Sequence, residues 1–259
     1  MRRSFAIPVL IALFSFGWGA SSQAEVEQKD NLRVTFDADF APHRLPRDRS
    51  APVTVEIEGK IETIDGTHPP SLRWLEIDLH RSGRIFSAGL PTCSAPSLQS
   101  TSTRDAIERC GRSRIGGGSF SATVKLGKDI PTTGQIIAFN SRKGGRQSVL
   151  LHLFADAPVR FTLVVPLTIG HRQDGQFGTV LRAKIPRLGG DLGSITAIQL
   201  KIGRRYSYRG KRRSYASAAC GAPDPLHGGP FPFARANLRF EEHPKIQMTL
   251  VRYCSVRRG

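Results

Sequence analysis

The sequence is short of acid, of methionine and tryptophan, and of any known catalytic pattern. Only 21 Asp and Glu stand against 38 Lys and Arg in 259 residues, which leaves a net charge of +17. That balance turns the chain toward anionic partners. Beyond residue 24 no stretch is long or apolar enough to span a bilayer. Long helical periodicity is missing, which points away from bundles. No Gly-x-Ser-x-Gly occurs, so there is no α/β-hydrolase elbow. No Ser is followed by Lys three residues on, and there is no His-Glu-x-x-His. Cys-x-x-Cys is absent and no His lies at ligand spacing from a cysteine, so no zinc motif is present. Nothing in the chain calls for a cofactor or a metal. No Asn-x-Ser/Thr sequon occurs.

What is present begins with a short apolar run, Phe5 to Gly19, behind Arg2 and Arg3. Ser22-Gln23-Ala24 then sets small residues at the two positions that a signal peptidase inspects. Residues 1–24 therefore read as a secretory signal peptide. No cysteine near the cleavage point would carry a lipid. Removing 1–24 from the 259 residues leaves 235, and losing Arg2 and Arg3 lowers the net charge from +17 to +15. The mature product is expected to be secreted or held at the cell envelope. Residues 25–259 read as a single all-β domain with an insertion at about 91–117.

Four cysteines remain: Cys93, Cys110, Cys220 and Cys254. An even count in an exported chain reads as disulfides. Three pairings are possible. The nearest-neighbour one, Cys93–Cys110 with Cys220–Cys254, is preferred because each pair then brackets a local excursion. Each bond would contribute roughly 3–4 kcal/mol in the loop-entropy account.

The clearest structural signal runs from Pro52 to Leu79. Val53, Val55, Ile57 and Ile61 point one way, with Gly59 in their row; Thr54, Glu56, Glu58, Lys60 and Glu62 point the other. Period two with β-branched residues on one side marks a strand with one buried and one wet face. Leu72 to Leu79 alternates again, with Leu75, Ile77 and Leu79 on one face and Glu76 and Asp78 on the other. Asp65-Gly-Thr-His-Pro-Pro70 lies between them, and the simplest expectation is an antiparallel pair. Glu25 to Asn31 reads as a frayed polar end, Leu32 to Phe36 as the first strand, and Ala41 to Ser50 as a basic connector.

Pro91 to Gly118 interrupts the strand pattern. Ser102-Thr-Arg-Asp105 supplies an N-cap with an acid three residues on, which predicts a short helix over about Thr103 to Cys110. Gly116-Gly117-Gly118 reads as a flexible return to the sheet rather than a phosphate cradle, because no Lys-Ser/Thr follows. Asp65 to Pro70, Gly89-Leu-Pro-Thr-Cys93, the following Cys110 and Leu200-Lys-Ile-Gly-Arg-Arg-Tyr206 resemble a pattern in uncharacterised secreted actinobacterial proteins. The likeness extends across most of the mature chain. That family has no assigned activity, so the resemblance implies no catalytic residue.

Alternating runs resume at Phe120, Ala122, Val124 and Leu126. Gln135 to Phe139 and Ser148 to Phe154 flank Arg142-Lys-Gly-Gly-Arg146, a hairpin signal. Val149 to Phe154 is apolar on both faces except for His152, which marks a central strand and a core histidine. Phe161 to Ile169, Thr179 to Ile185 and Ser194 to Ile202 follow. Phe231 to Phe240 and Ile246 to Tyr253 read as a final hairpin ahead of a loose basic tail. The expected fold is an antiparallel β-sandwich, with a barrel as the alternative, and one short helix in the disulfide-bracketed insertion.

The most distinctive chemistry lies in Arg204 to Tyr215. Arg204, Arg205, Arg209, Lys211, Arg212 and Arg213 are interleaved with Tyr206, Tyr208 and Tyr215. A type II′ turn at Gly210-Lys211 would pair Tyr208 with Arg213 and Tyr206 with Tyr215. Tyr206, Tyr208, Arg213 and Tyr215 would then share one face, which could meet a sugar or an anionic polymer. The plainer alternative is a cross-strand ladder that stabilises the hairpin. Glu76, Asp78 and His80 could form a carboxylate–imidazole set, although such charges are ordinary on a wet face.

The leading expectation is a non-catalytic exported β protein whose basic hairpin binds an anionic cell-wall polymer or glycan. A carrier of an apolar ligand inside a barrel is the alternative, and an unrecognised enzyme ranks third. Export disfavours nucleic acid as a target. The oligomeric state is left open.

Overall fold

The computed structural model describes residues 23–172, 175–188, 192–224 and 226–257. Residues 1–22 of the expected signal peptide, and 258–259 of the tail, lie outside the described residues. In chain order, β1 (Glu25–Lys29), β2 (Leu32–Ala41), β3 (Arg44–Leu45), β4 (Ala51–Pro52), β5 (Thr54–Thr63), β6 (Leu72–His80) and β7 (Gly83–Ile85) precede helix α1 (Thr103–Cys110). There follow β8 (Arg114–Leu126), β9 (Lys128–Lys143), β10 (Arg146–Ala155), β11 (Phe161–His171), β12 (Phe177–Lys184) and β13 (Gly193–Ile202). The last elements are β14 (Arg205–Tyr208), β15 (Lys211–Ser214), β16 (Ala216–Ala218), β17 (Gly228–Phe240) and β18 (Ile246–Val256).

The all-β body expected from the alternating runs is present, and its layers come from one sheet that bends back on itself. Thirteen strands hydrogen-bond in the order β1-β2-β5-β13-β8-β9-β10-β11-β12-β6-β17-β18-β3, and the sheet curls into a half-barrel. Strand neighbours are antiparallel apart from the short parallel contact of β3 with β18. The inner face is apolar along most of the sheet, edge strand β1 contributing nothing to it. Val34 and Phe36 of β2, Phe120 of β8, Val165 of β11, Ala236 of β17 and Leu250 of β18 belong to one core. Across the open seam, buried Arg252 of β18 donates through Nε to Ala38 O of β2 at 2.8 Å and pairs with Asp37 through Nη2.

The strands on either side of Asp65–Pro70 do not pair with each other. β5 lies between β2 and β13, and β6 lies between β12 and β17. The alternation of faces is as read, and Glu56 and Glu58 are exposed on the wet face of β5, but Glu76 and Asp78, expected on a wet face of β6, are buried beneath arginines. Both edges of β5 are taken, however, so the Pro-containing connection carries the chain across the half-barrel. Ile57 and Ile61 of β5 and Leu75 and Ile77 of β6 line a common interior instead of sharing a ladder.

Other local expectations differ in instructive ways. Glu25 to Lys29 is an edge strand on β2 rather than a frayed end. Ser255 and Val256 pair with β3 rather than lying loose. Gly116 to Gly118 sits inside β8, and a Cβ at Gly118 would fall 1.9 Å from Gln199 O. The run thus admits the β13 backbone at close range instead of supplying flexibility. Hairpin β9–β10 turns at Gly144-Gly145, both at positive φ, as the Lys-Gly-Gly-Arg signal implied.

Both disulfides follow the nearest-neighbour pairing, with Cα separations of 5.6 Å for Cys93–Cys110 and 5.7 Å for Cys220–Cys254. Helix α1 spans the residues expected, and Ser102 and Asp105 close the capping box. The insertion lies on the outer face of β9 and β10, where Leu98 and Ala106 meet Ile137, Phe139 and Leu150. This explains why β10 is apolar on both sides. Cys220–Cys254 lies in a separate cluster with Phe40, Val53, Ala216 and Phe231, beneath the small sheet β4-β16-β7.

His152 is enclosed under the insertion, with Nε2 3.0 Å from Thr101 Oγ1 and 3.1 Å from Thr101 O. Burial holds its pKa below the usual histidine range. As pH falls below about 6.5, the unfolded chain takes a proton that folded His152 refuses. Stability should therefore fall through that window until the depressed folded pKa is reached. We expect the urea midpoint to drop between pH 7.5 and 5, and to drop less in His152→Gln. Equal drops in the two proteins would place the acid sensitivity elsewhere.

Candidate functional site

The site is built outward from two acids on β6. Glu76 and Asp78 point to the outer face, and the register sets Arg182 of β12 opposite Glu76 and Arg235 of β17 opposite Asp78. Cross-strand placement brings opposite charges together at short range. Arg235 donates to Asp78 Oδ2 through Nε at 2.9 Å and Nη2 at 2.6 Å, and Arg182 Nε donates to Glu76 Oε2 at 2.6 Å. Arg172, just beyond β11, takes the remaining oxygens, Asp78 Oδ1 at 2.9 Å and Glu76 Oε1 at 2.7 Å. Asp78 is fully buried and Glu76 nearly so. The Asp78 carboxylate, more than Glu76, raises the pKa of Arg172 above its ordinary value. All four carboxylate oxygens hold guanidinium groups, so neither acid is placed to act as a base. His80 does not join them. Its Nδ1 lies 2.8 Å from Ser82 Oγ and its ring meets Phe231 edge-on.

Arg172 opens onto a cleft of about 610 Å3. The β6–β7 turn and β7 supply Arg81 and Arg84; β11 and its end supply His171 and Arg172; β15 supplies Arg212, Arg213 and Ser214. Five arginines line the cleft, and none of its described lining residues is acidic. Backbone bonds fix the walls: Arg81 N to Gln176 O at 2.8 Å, Arg172 N to Gly178 O at 2.7 Å and Phe86 N to Tyr215 O at 2.9 Å. The Arg213 guanidinium lies 5.3 Å above the Phe86 ring. Ser50, Thr179 and Ser217 add hydroxyls. Arg172 is already paired with Glu76 and Asp78, but the guanidinium groups of Arg81, Arg84, Arg212 and Arg213 meet no acid among the described lining; they repel one another, and an anion removes that repulsion while accepting charge-assisted hydrogen bonds. Phosphate, sulfate and carboxylate groups all fit this donor set.

The basic hairpin is present with its turn one residue earlier than expected, which shifts every cross-strand partner by two residues. Its turn is Arg209-Gly210, at φ 50° and 71°, so Tyr206 faces Arg213 and Tyr208 faces Lys211. Positive φ at both central residues gives type I′ geometry, which matches strand twist. Tyr206, Tyr208 and Arg213 do share a face, but the tyrosines turn toward the body. Tyr206 donates to Phe86 O at 3.2 Å and Ala88 O at 3.0 Å, Tyr208 packs on Gly89, and Tyr215 is buried. Burial pushes the phenol pKa values of Tyr206 and Tyr215 upward. The ring platform expected for a sugar is thus occupied by the protein's own chain. Arg204 spends its guanidinium on Arg112 O and Arg114 O, both at 2.7 Å. Arg205, Arg209, Lys211, Arg212 and Arg213 remain exposed.

Comparison with protein-family models, with curated proteins and with solved structures finds no match to this chain. The arginines that sequence reasoning missed are Arg81, Arg84 and Arg172. Arg81 and Arg172 lie just past strand ends and Arg84 in the middle of β7, all far along the chain from Arg212 and Arg213. The available signal was weak: basic residues in or beside turns.

Removing the buried charge beneath the cleft should be costly. Asp78→Asn leaves Arg172 and Arg235 without their shared anion. Both arginines are about one-third exposed, so solvent screens part of the loss. We expect a destabilisation of about 2–3 kcal/mol, below the full cost of breaking a buried pair. Urea unfolding measures it, and a loss under about 1 kcal/mol would mean that the network does not organise the cleft floor.

Proposed function

We propose that the protein is a non-catalytic exported β protein that binds anionic groups of cell-envelope or extracellular polymers in the arginine cleft. One observation carries the reading: five arginines converge on a concave surface whose described lining has no acid. The exposed cations Arg205, Arg209 and Lys211 extend the basic surface beyond the cleft, as a repeating anionic chain would require. Two disulfides suit an oxidising compartment outside the cytoplasm. Among the described residues no helix is long and apolar enough to cross a membrane. The tied-up carboxylates of Glu76 and Asp78 favour binding over acid–base chemistry.

Retention of the oxidised protein on an anionic resin or on isolated wall polymer tests this reading. Retention should weaken with added salt, because charge release dominates the contact. The triple change Arg84→Ser, Arg212→Ser and Arg213→Ser should elute at clearly lower salt than a charge-matched control in which exposed Lys125, Lys128 and Lys143 are all changed to Ser. Equal shifts would reduce the attraction to net charge alone and remove the cleft as its seat.

A further inference from the structure

Two apolar voids lie inside the half-barrel. The larger, about 130 Å3, is enclosed by residues such as Ile57, Ile61, Leu75, Leu163 and Leu238, with Ser71 and Ser194 among its lining. The smaller, about 80 Å3, lies among Phe40, Val55, Leu79, Ile202 and Phe233. Ile57 lines both. Gly83, Arg84, Ile85 and Ser217 in turn line both the smaller void and the arginine cleft. The partition between charge and hydrocarbon is therefore one layer of chain, β7 and β16. These strands have three residues each and meet through Ala216–Ile85, Ser217–Arg84 and Ala218–Gly83. Guanidinium groups, a thin partition and an apolar interior thus lie in series.

An arginine cleft alone would serve any anion. A cleft set over unfilled apolar space is complementary to something narrower. Apolar voids of this kind stay dry and accept apolar matter, and a cavity of about 150 Å3 takes up a benzene ring. We propose that the anion held in the cleft is the head of an amphiphile. Its phosphate or carboxylate lies against Arg84, Arg212 and Arg213, and a short apolar tail passes the free edge of β7, the outer strand of the small sheet, into the half-barrel. The volumes set the tail as a short chain or a single ring. The chemistry is the same whether the molecule is free or forms the apolar end of a larger polymer. This inference rests on the cleft being an anion site.

Calorimetric titration of the mature, oxidised protein with inorganic phosphate, then with ethyl, butyl, hexyl and octyl phosphate, tests it. Affinity should rise about three- to fourfold per added methylene until the interior is filled, then level off. Uncharged 1-octanol should bind far more weakly than octyl phosphate. Ala183, buried in the wall of the larger void, offers a filling change. Ala183→Leu should bring the plateau to a shorter chain, and if that variant fails to fold, the wild-type series decides alone. Phosphate bound with no gain along the series would overturn the tail and leave the anion site standing. Octanol equal to octyl phosphate would overturn the role of the arginines, and no binding by any phosphate would overturn both the inference and the cleft.

Discussion

The structure depends on covering the apolar inner face of the thirteen-stranded sheet. A flat sheet of this width would leave that face in water. Curling brings β2 and β5 opposite β6, β11 and β17, so that the sheet covers itself. The cover is incomplete. A void of about 130 Å3 costs roughly 3 kcal/mol at about 24 cal/mol per Å3, a large share of the stability of an ordinary domain. The Cys220–Cys254 disulfide opposes that cost beside the small sheet, and the clamp of Arg252 on β2 opposes it along the seam.

The second organising feature is the imbalance of charge. On the wet faces an acid can meet a cation singly, as Glu56 meets Lys201. Glu76 and Asp78 instead gather three arginines between them, and Asp78 does so without exposure to water. Their burial fixes Arg172 at the cleft floor, which a free surface arginine could not achieve without losing side-chain entropy. The arginines of β7 and β15 complete a surface with no acid among its described lining residues. Packing thus supplies the frame, and the shortage of acid supplies the field.

Local signals in the sequence were read well where one short stretch decides the outcome. Ser102 and Asp105 specify a helix start whatever surrounds them, and Gly144-Gly145 specifies a tight turn. The cysteine pairing follows from proximity along the chain. Signals failed where the decision is non-local. Alternation in β5 tells which face is buried, but it does not tell which strand lies at each edge, so β5 and β6 face each other rather than pair. The hairpin register was missed because Arg209 adopts a positive φ that arginine seldom takes. Its tyrosines could not be judged exposed or covered without knowing that Phe86 to Gly89 lies beneath them. The cleft was illegible for the same reason: Arg81, Arg84, Arg172 and Arg212 meet only after the sheet has curled.

The account stands or falls on where an anion rests. Backbone amide NMR of the mature protein, titrated with a short inorganic polyphosphate, locates it directly. The account predicts perturbations centred on Gly83 to Phe86, on His171 and Arg172, and on Arg212 to Ser214, weakening as salt is added. Perturbations confined to the hairpin tip at Arg209 to Lys211, or spread evenly over the basic surface, would contradict it.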